Sequence, residues 1–172
     1  NLDSWMRPSG KLRSAKIIQW LEPWLSTAEE REIDTELASE CLGWAYLLPN
    51  LAALLPAAVW SEVYDGLARF ADNASQGDCG GPDTDQVLAG ELPLVLSYQF
   101  PEWEQCRRRG AAARSTLKTG IKELLDGNGL PHCQNLDLVR PLLACWTRSS
   151  YLARAAGVSL WGSKTQLQFE WL

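Results

Sequence analysis

Histidine is nearly absent from this chain, because His132 is the only one among 172 residues. Cysteine is more frequent, but the five cysteines form no CxxC pair and follow no regular spacing. The sequence therefore indicates neither a zinc site nor a disulfide framework, and we expect no metal ion and no cofactor. Cys41 and Cys145 lie in apolar runs and are predicted to be small buried residues.

Long apolar runs and an excess of positive charge are missing as well. No stretch reaches the roughly 18 apolar residues that a membrane span needs, so none is predicted. The formal net charge of -5 argues against a nucleic-acid partner, because phosphate recognition needs a positive surface. The one basic run, Arg107 to Arg109 with Arg114, is interpreted as a solvated helix face. The first ten residues lack the form of a signal peptide, and the compartment stays unknown.

Alternating strand patterns are also lacking, apart from a short candidate strand at 166–172. Helical periodicity dominates instead, and it predicts an all-α chain. Ser26 or Thr27 is expected to cap the second helix. Six helices are predicted. The third begins at Pro56 and ends at a break near residue 72, and the other five cover residues 14–25, 26–48, 83–100, 101–127 and 136–157.

The fourth predicted helix is the most uniformly apolar, and we expect it to be central in the packing. Pro93 lies within it and should kink the helix or start it afresh near Glu91. Successive antiparallel hairpins of this length can stack as a bundle, a solenoid or a closed toroid, and periodicity does not separate these architectures. The chain is interpreted as one helical domain over 1–172. It begins with Asn and stops inside an amphipathic run, so we expect it to be part of a longer protein.

Two phrases carry a resemblance to a known family: "DQVLAGELPLVLSYQFPE" at 85–102 and "LLDGNGLPHCQNLDLVRPLLACWTR" at 124–148. Over about residues 30–157 the chain resembles the heparinase II/III-like polysaccharide lyases, and most of all a bacterial branch of that family. The resemblance implies an incomplete α/α toroid of antiparallel helical hairpins that forms the N-terminal part of a larger protein. It also implies two partners, an acidic (uronate-containing) polysaccharide or oligosaccharide and a following β-sandwich domain.

The family chemistry is β-elimination, which needs a group that neutralises the uronate carboxylate, a base and an acid. Family members carry an Asn-His pair and a Tyr-His pair for these roles. This chain has Gly90 and Glu91 at the first position, and Leu136 and Asp137 at the second, so its catalytic residues stay unknown. A lyase is one hypothesis, and a non-catalytic carbohydrate-binding or scaffold domain that has lost the lyase residues is the alternative. A helical-repeat module for protein partners is a third.

The substrate-binding candidates are Glu91, Tyr98, His132 and Arg140. His132 could carry a proton or contact a sugar hydroxyl, or it could be a loop histidine that caps a helix or faces solvent. Tyr98 could offer its hydroxyl to a cleft or be a buried aromatic. Arg140 could pair with a sugar carboxylate or tie two helices together.

The nine tryptophans suit a carbohydrate cleft, because aromatic faces stack on sugar rings. Trp44, Trp60 and Trp146 fall on apolar helix faces and are predicted to be core residues. The candidates for stacking on a sugar lie near chain breaks, and they are Trp5, Trp103 and Trp161.

Overall fold

The computed structural model describes residues 10–28, 30–77, 80–126, 129, 132 and 136–162, with side chains from residue 15 onward. Every regular element in these ranges is helical, which confirms the all-α class. The elements are α1 (Gly10–Thr27), α2 (Thr35–Leu51), α3 (Ala57–Ala74), α4 (Pro82–Asp85), a π-helical segment (Gln86–Glu91), α5 (Leu92–Gln99), α6 (Glu104–Leu124) and α7 (Val139–Ala155).

The start of α2 differs from the prediction that Ser26 or Thr27 caps it. The Ser26 and Thr27 hydroxyls both donate to the Pro23 carbonyl, at 3.0 and 2.8 Å, so they belong to the end of α1. Asp34 is the cap instead, because its carboxylate accepts the Leu37 N–H at 2.7 Å. The prediction was wrong because several polar residues in this region are acceptable caps, and sequence preference does not choose among them.

The central helical rod consists of α4, the π segment and α5, which follow one another without a break. It packs against α2, α3, α6 and α7, which confirms the central position predicted for the fourth helix. Pro93 lies in the first turn of α5, directly after the π segment ends at Glu91. There the Leu92 N–H donates to the Val87 carbonyl, five residues back. The wider π turn accommodates a proline that an uninterrupted α-helix would not, so the predicted restart near Glu91 is confirmed.

Glycines allow α6 to approach the central rod closely. A Cβ on Gly120 would overlap the amide of Gln86, and one on Gly110 would overlap the Ser97 side chain. On the other side of this contact, a Cβ on Gly90 would lie 2.7 Å from the Leu117 side chain. The lost helix propensity of these glycines is therefore offset by close packing of the two rods.

The buried core runs along the central rod and includes Cys41, Cys145 and Trp146, as predicted. Trp44 and Trp60 are partly buried and pack against that core. Gly157, at the predicted end of the last helix, has a positive φ of 73°, which favours glycine. Gly127 and the candidate strand at 166–172 lie outside the described residues.

Within those residues, none of the helices combines the length and the apolar character that crossing a bilayer requires.

Candidate functional site

A fully buried carboxylate lies at the end of the π segment, where Glu91 has no solvent exposure. Arg148 of α7 reaches it with two parallel hydrogen bonds, Nε to Oε1 at 2.5 Å and Nη2 to Oε2 at 2.7 Å. The Arg148 side chain itself is 42% exposed, so the pair connects the core with the surface. This geometry is the two-pronged arrangement in which an arginine binds a carboxylate most strongly.

Two further titratable groups lie beside this pair. The Tyr46 hydroxyl donates to Glu91 Oε1 over 3.4 Å, and burial together with the Glu91 charge raises the pKa of the phenol. Burial, and then the charge of Glu91, also raises the pKa of the Cys145 thiol well above its usual value. Both groups therefore stay protonated at neutral pH, and neither is an activated nucleophile or base.

Gln86, at the other end of the π segment, connects three helical rods through its polar groups. Its side-chain oxygen accepts the Trp146 indole N–H at 3.0 Å, and its amide nitrogen donates to the Thr116 carbonyl at 3.3 Å. The Cys145 thiol donates to the Gln86 backbone carbonyl at 3.4 Å. These bonds fix α6 and α7 on the π segment, so the Glu91–Arg148 pair is held in a rigid frame.

A pocket of about 150 Å³ opens beside Arg148, where α2, α4, the π segment and α7 meet. Arg148 forms part of its wall, so the pocket adjoins the buried ion pair. Its other lining residues are Thr35, Ala38, Ser39, Asp83, Thr84, Val87, Pro141 and Ala144.

Burial separates Glu91 from the other three predicted binding residues, because Glu91 is fully buried whereas Tyr98, His132 and Arg140 are exposed. Glu91 contacts Arg148 and Tyr46, and none of its polar contacts involves the other three candidates. Tyr98 lies on α5 and is 45% exposed, so it is not a buried aromatic. His132 is exposed, and its backbone N–H donates to the Leu124 carbonyl at 3.3 Å. Arg140 is exposed in the first turn of α7, and among the described residues it forms no hydrogen bond or ion pair with another helix.

Arg148 is the site residue that sequence reasoning missed. A glutamate in the most apolar helix of the chain requires a cationic partner, because a buried carboxylate is costly unless it is paired. That requirement could have been read from the sequence, whereas the choice among the arginines could not. The partner lies 57 positions away and is the last residue of the second family-like phrase.

The tryptophan candidates for sugar stacking have different outcomes. Trp161 is only 4% exposed and belongs to the core, so its prediction was wrong: the chain after α7 folds back and buries it. Trp103 is 38% exposed at the edge of an aromatic cluster with Trp60, Tyr64 and Phe100. Trp5 lies outside the described residues.

The arginines of the basic run bind groups of the described chain. Arg109 makes two hydrogen bonds to Asp72, Arg108 pairs with Glu104, and Arg107 donates to backbone carbonyls. Arg107 and Arg108 are exposed and agree with the prediction of a solvated helix face. Arg109 departs from it, because its side chain is only 22% exposed and connects α6 to Asp72 of α3. Over the same ranges, no group of three or more His, Cys, Asp or Glu side chains is arranged to hold a metal ion.

Comparison of the chain with protein-family models, with curated proteins and with solved structures gave no match.

Proposed function

We propose that this chain is a non-catalytic carbohydrate-binding domain, related to the helical domain of the heparinase II/III-like lyases, that binds an acidic oligosaccharide. The helices would then be the first hairpins of an incomplete α/α toroid. Packing of α2 against α3 and of α5 against α6, each across a short connection, supports this arrangement.

The observation that carries the proposal is the state of Glu91. The resemblance assigns this position to a catalytic pair, yet both carboxylate oxygens are occupied by Arg148 and the side chain is fully buried. A general base must reach the proton that it removes, and Glu91 has no path to a substrate. The neighbouring Tyr46 and Cys145 hold their protons, so this site offers no replacement base.

Exposed residues supply the groups for binding. Arg140 is exposed, and its guanidinium can form two hydrogen bonds with a uronate carboxylate. Tyr98 and His132 are also exposed and can hydrogen-bond to sugar hydroxyls. Trp103 presents part of an aromatic face for stacking.

The test is a panel of uronate polysaccharides and their oligosaccharides. Binding would be measured by titration calorimetry, and elimination by the ultraviolet absorbance of the unsaturated product. We expect binding to at least one acidic oligosaccharide with no rise in absorbance. A rise in absorbance would revive the lyase hypothesis, and absence of binding to every member of the panel would contradict the carbohydrate proposal.

A matched pair of variants on α7 sharpens the test. Arg140→Gln should weaken binding roughly five- to tenfold, the size expected for the loss of one charged hydrogen-bonding pair. Arg154→Gln removes the same charge from the exposed last turn of the same helix and should leave the affinity unchanged. Equal losses in both variants would indicate general charge attraction and would contradict a specific role for Arg140.

A further inference from the structure

The pocket beside Arg148 contains a second buried carboxylate, that of Asp83, which is only 6% exposed. We propose that this pocket binds a small primary ammonium group, with the Asp83 carboxylate as its counter-charge. The proposal is independent of carbohydrate binding, because it uses neither Arg140 nor Tyr98.

Asp83 lacks the partner that a buried carboxylate normally has. Its Oδ2 accepts a hydrogen bond from the Thr35 hydroxyl at 2.9 Å. No lysine or arginine in the described part of the chain forms an ion pair with it. Buried carboxylates are almost always paired with a cation, as Glu91 is in the same protein. The buried Asp83 carboxylate, at the wall of a pocket, therefore suits a cation that comes from outside the chain.

Two hydroxyl groups of the wall are already used as donors. The Thr35 hydroxyl donates its proton to Asp83, and the Ser39 hydroxyl donates its proton to the Thr35 carbonyl at 2.7 Å. Toward a ligand, these two oxygens can therefore act only as acceptors. A ligand with several N–H donors matches this wall, and an ammonium group has three.

The charge balance also favours a monovalent cation. Arg148 is the only cation among the described residues of the wall, and its charge is matched by Glu91 through two hydrogen bonds. Asp83 then leaves one uncompensated negative charge. A divalent metal ion fits less well, because it takes about six or more oxygen ligands in a fixed arrangement.

The remaining wall is apolar and suits a short hydrocarbon stem. Ala38, Val87, Pro141 and Ala144 line it, and the volume of about 150 Å³ admits only a small ligand. The two sources of such a group are a free alkylamine and the side chain of a lysine. Both share the ammonium and the methylene stem that the wall recognises.

The free alkylamine is represented by n-butylammonium chloride. It is titrated into the full chain at constant ionic strength, and binding is followed by amide NMR shifts. We expect saturable shifts at Thr35, Asp83 and Ala144, and none of that pattern with 1-butanol, which has the same stem without the charge. A parallel titration with Nα-acetyl-lysine-N-methylamide represents the lysine source. Tighter binding of this compound would assign the pocket to a lysine side chain, and tighter binding of butylammonium would assign it to a free amine.

Variants separate the proposed site from general cation attraction. Asp83→Asn keeps the acceptor for Thr35 but removes the charge, and it should weaken butylammonium binding at least tenfold. Asp65→Asn removes an equal charge from the exposed side of α3 and should have no effect. If Asp83→Asn unfolds by circular dichroism, Ala144→Leu fills the pocket with the carboxylate intact and should abolish the shifts. Unchanged binding in a folded Asp83→Asn or Ala144→Leu variant, or equal shifts with 1-butanol, would overturn the proposal.

Discussion

Both carboxylate oxygens of Glu91 accept hydrogen bonds from the guanidinium of Arg148, across 57 positions of sequence. The pair joins the π segment of the central rod to α7 and places a full negative charge where no water reaches it. Its net contribution to stability is small or even unfavourable, because desolvation of two charges opposes their attraction. We therefore expect the pair to act mainly by fixing how α7 is rotated on the central rod.

Replacement of Arg148 by Met should destabilise the protein by about 2–4 kcal/mol, because it leaves the Glu91 carboxylate buried and unpaired. The measurement is urea unfolding followed by circular dichroism at pH 7. The double variant Glu91→Met/Arg148→Met is the control, because it removes both charges and should recover most of the loss. A double variant that is less stable than Arg148→Met would contradict this account of the pair.

Features that depend on local sequence could be predicted, whereas features that depend on how the helices pack could not. The central rod and the change from π-helix to α-helix after Glu91 were predictable. An apolar helix is recognised over many residues, and Pro93 restricts the helix geometry just before it. The partner of Glu91 was not, because any of several arginines satisfies the same need and only the packing of α7 selects Arg148.

The pocket beside Arg148 could not be predicted either. Its walls come from α2, α4, the π segment and α7, and Thr35 and Asp83 meet across 48 positions. Trp161 is a similar case, since a tryptophan near a chain break is exposed or buried according to where the following chain turns.

Substitutions at the observed N-cap of α2 and at the cap expected from sequence should have different effects on stability. Asp34→Ala removes the acceptor of the Leu37 N–H and should cost about 1 kcal/mol of stability. Thr27→Ala, at the position expected from sequence, removes only a bond to the preceding turn and should cost less than about 0.5 kcal/mol. Thermal unfolding of both variants measures the two losses of stability. A larger loss for Thr27→Ala than for Asp34→Ala would contradict Asp34 as the cap.

Replacement of glycine by alanine should lower stability on α6 and raise it on α2. Gly120→Ala puts a methyl group against the Gln86 amide and should disturb its bonds to Trp146 and Thr116, at a cost of about 1–3 kcal/mol. Gly43→Ala on α2 meets nothing within 4 Å and should stabilise the protein by roughly 0.5–1 kcal/mol, because alanine favours the helix. Urea unfolding of the two variants measures both effects. Similar effects in both would show that close packing does not require glycine on α6.

Because of Cys41, the stability of the fold should decrease as the pH rises in the alkaline range. Burial, and then the nearby charge of Glu40, raises the pKa of its thiol from 9.0 to about 12. The folded state therefore favours the neutral thiol, and this stabilisation is fully present below pH 9. It is lost as the pH rises from 9 towards 12, because the unfolded chain releases the proton first.

Between pH 8 and pH 10 the Cys41 thiol should account for a loss of about 1.4 kcal/mol in the free energy of unfolding. Cys41→Ala should lower stability by a constant amount from pH 6 to pH 8, where the thiol does not titrate. Above pH 8 its curve should fall less steeply than that of the natural protein, so that the two curves converge. Urea unfolding at pH 6, 8 and 10 measures this difference. Parallel curves up to pH 10 would mean that the Cys41 thiol ionises equally well in the folded protein, and would contradict its burial as the cause of the raised pKa.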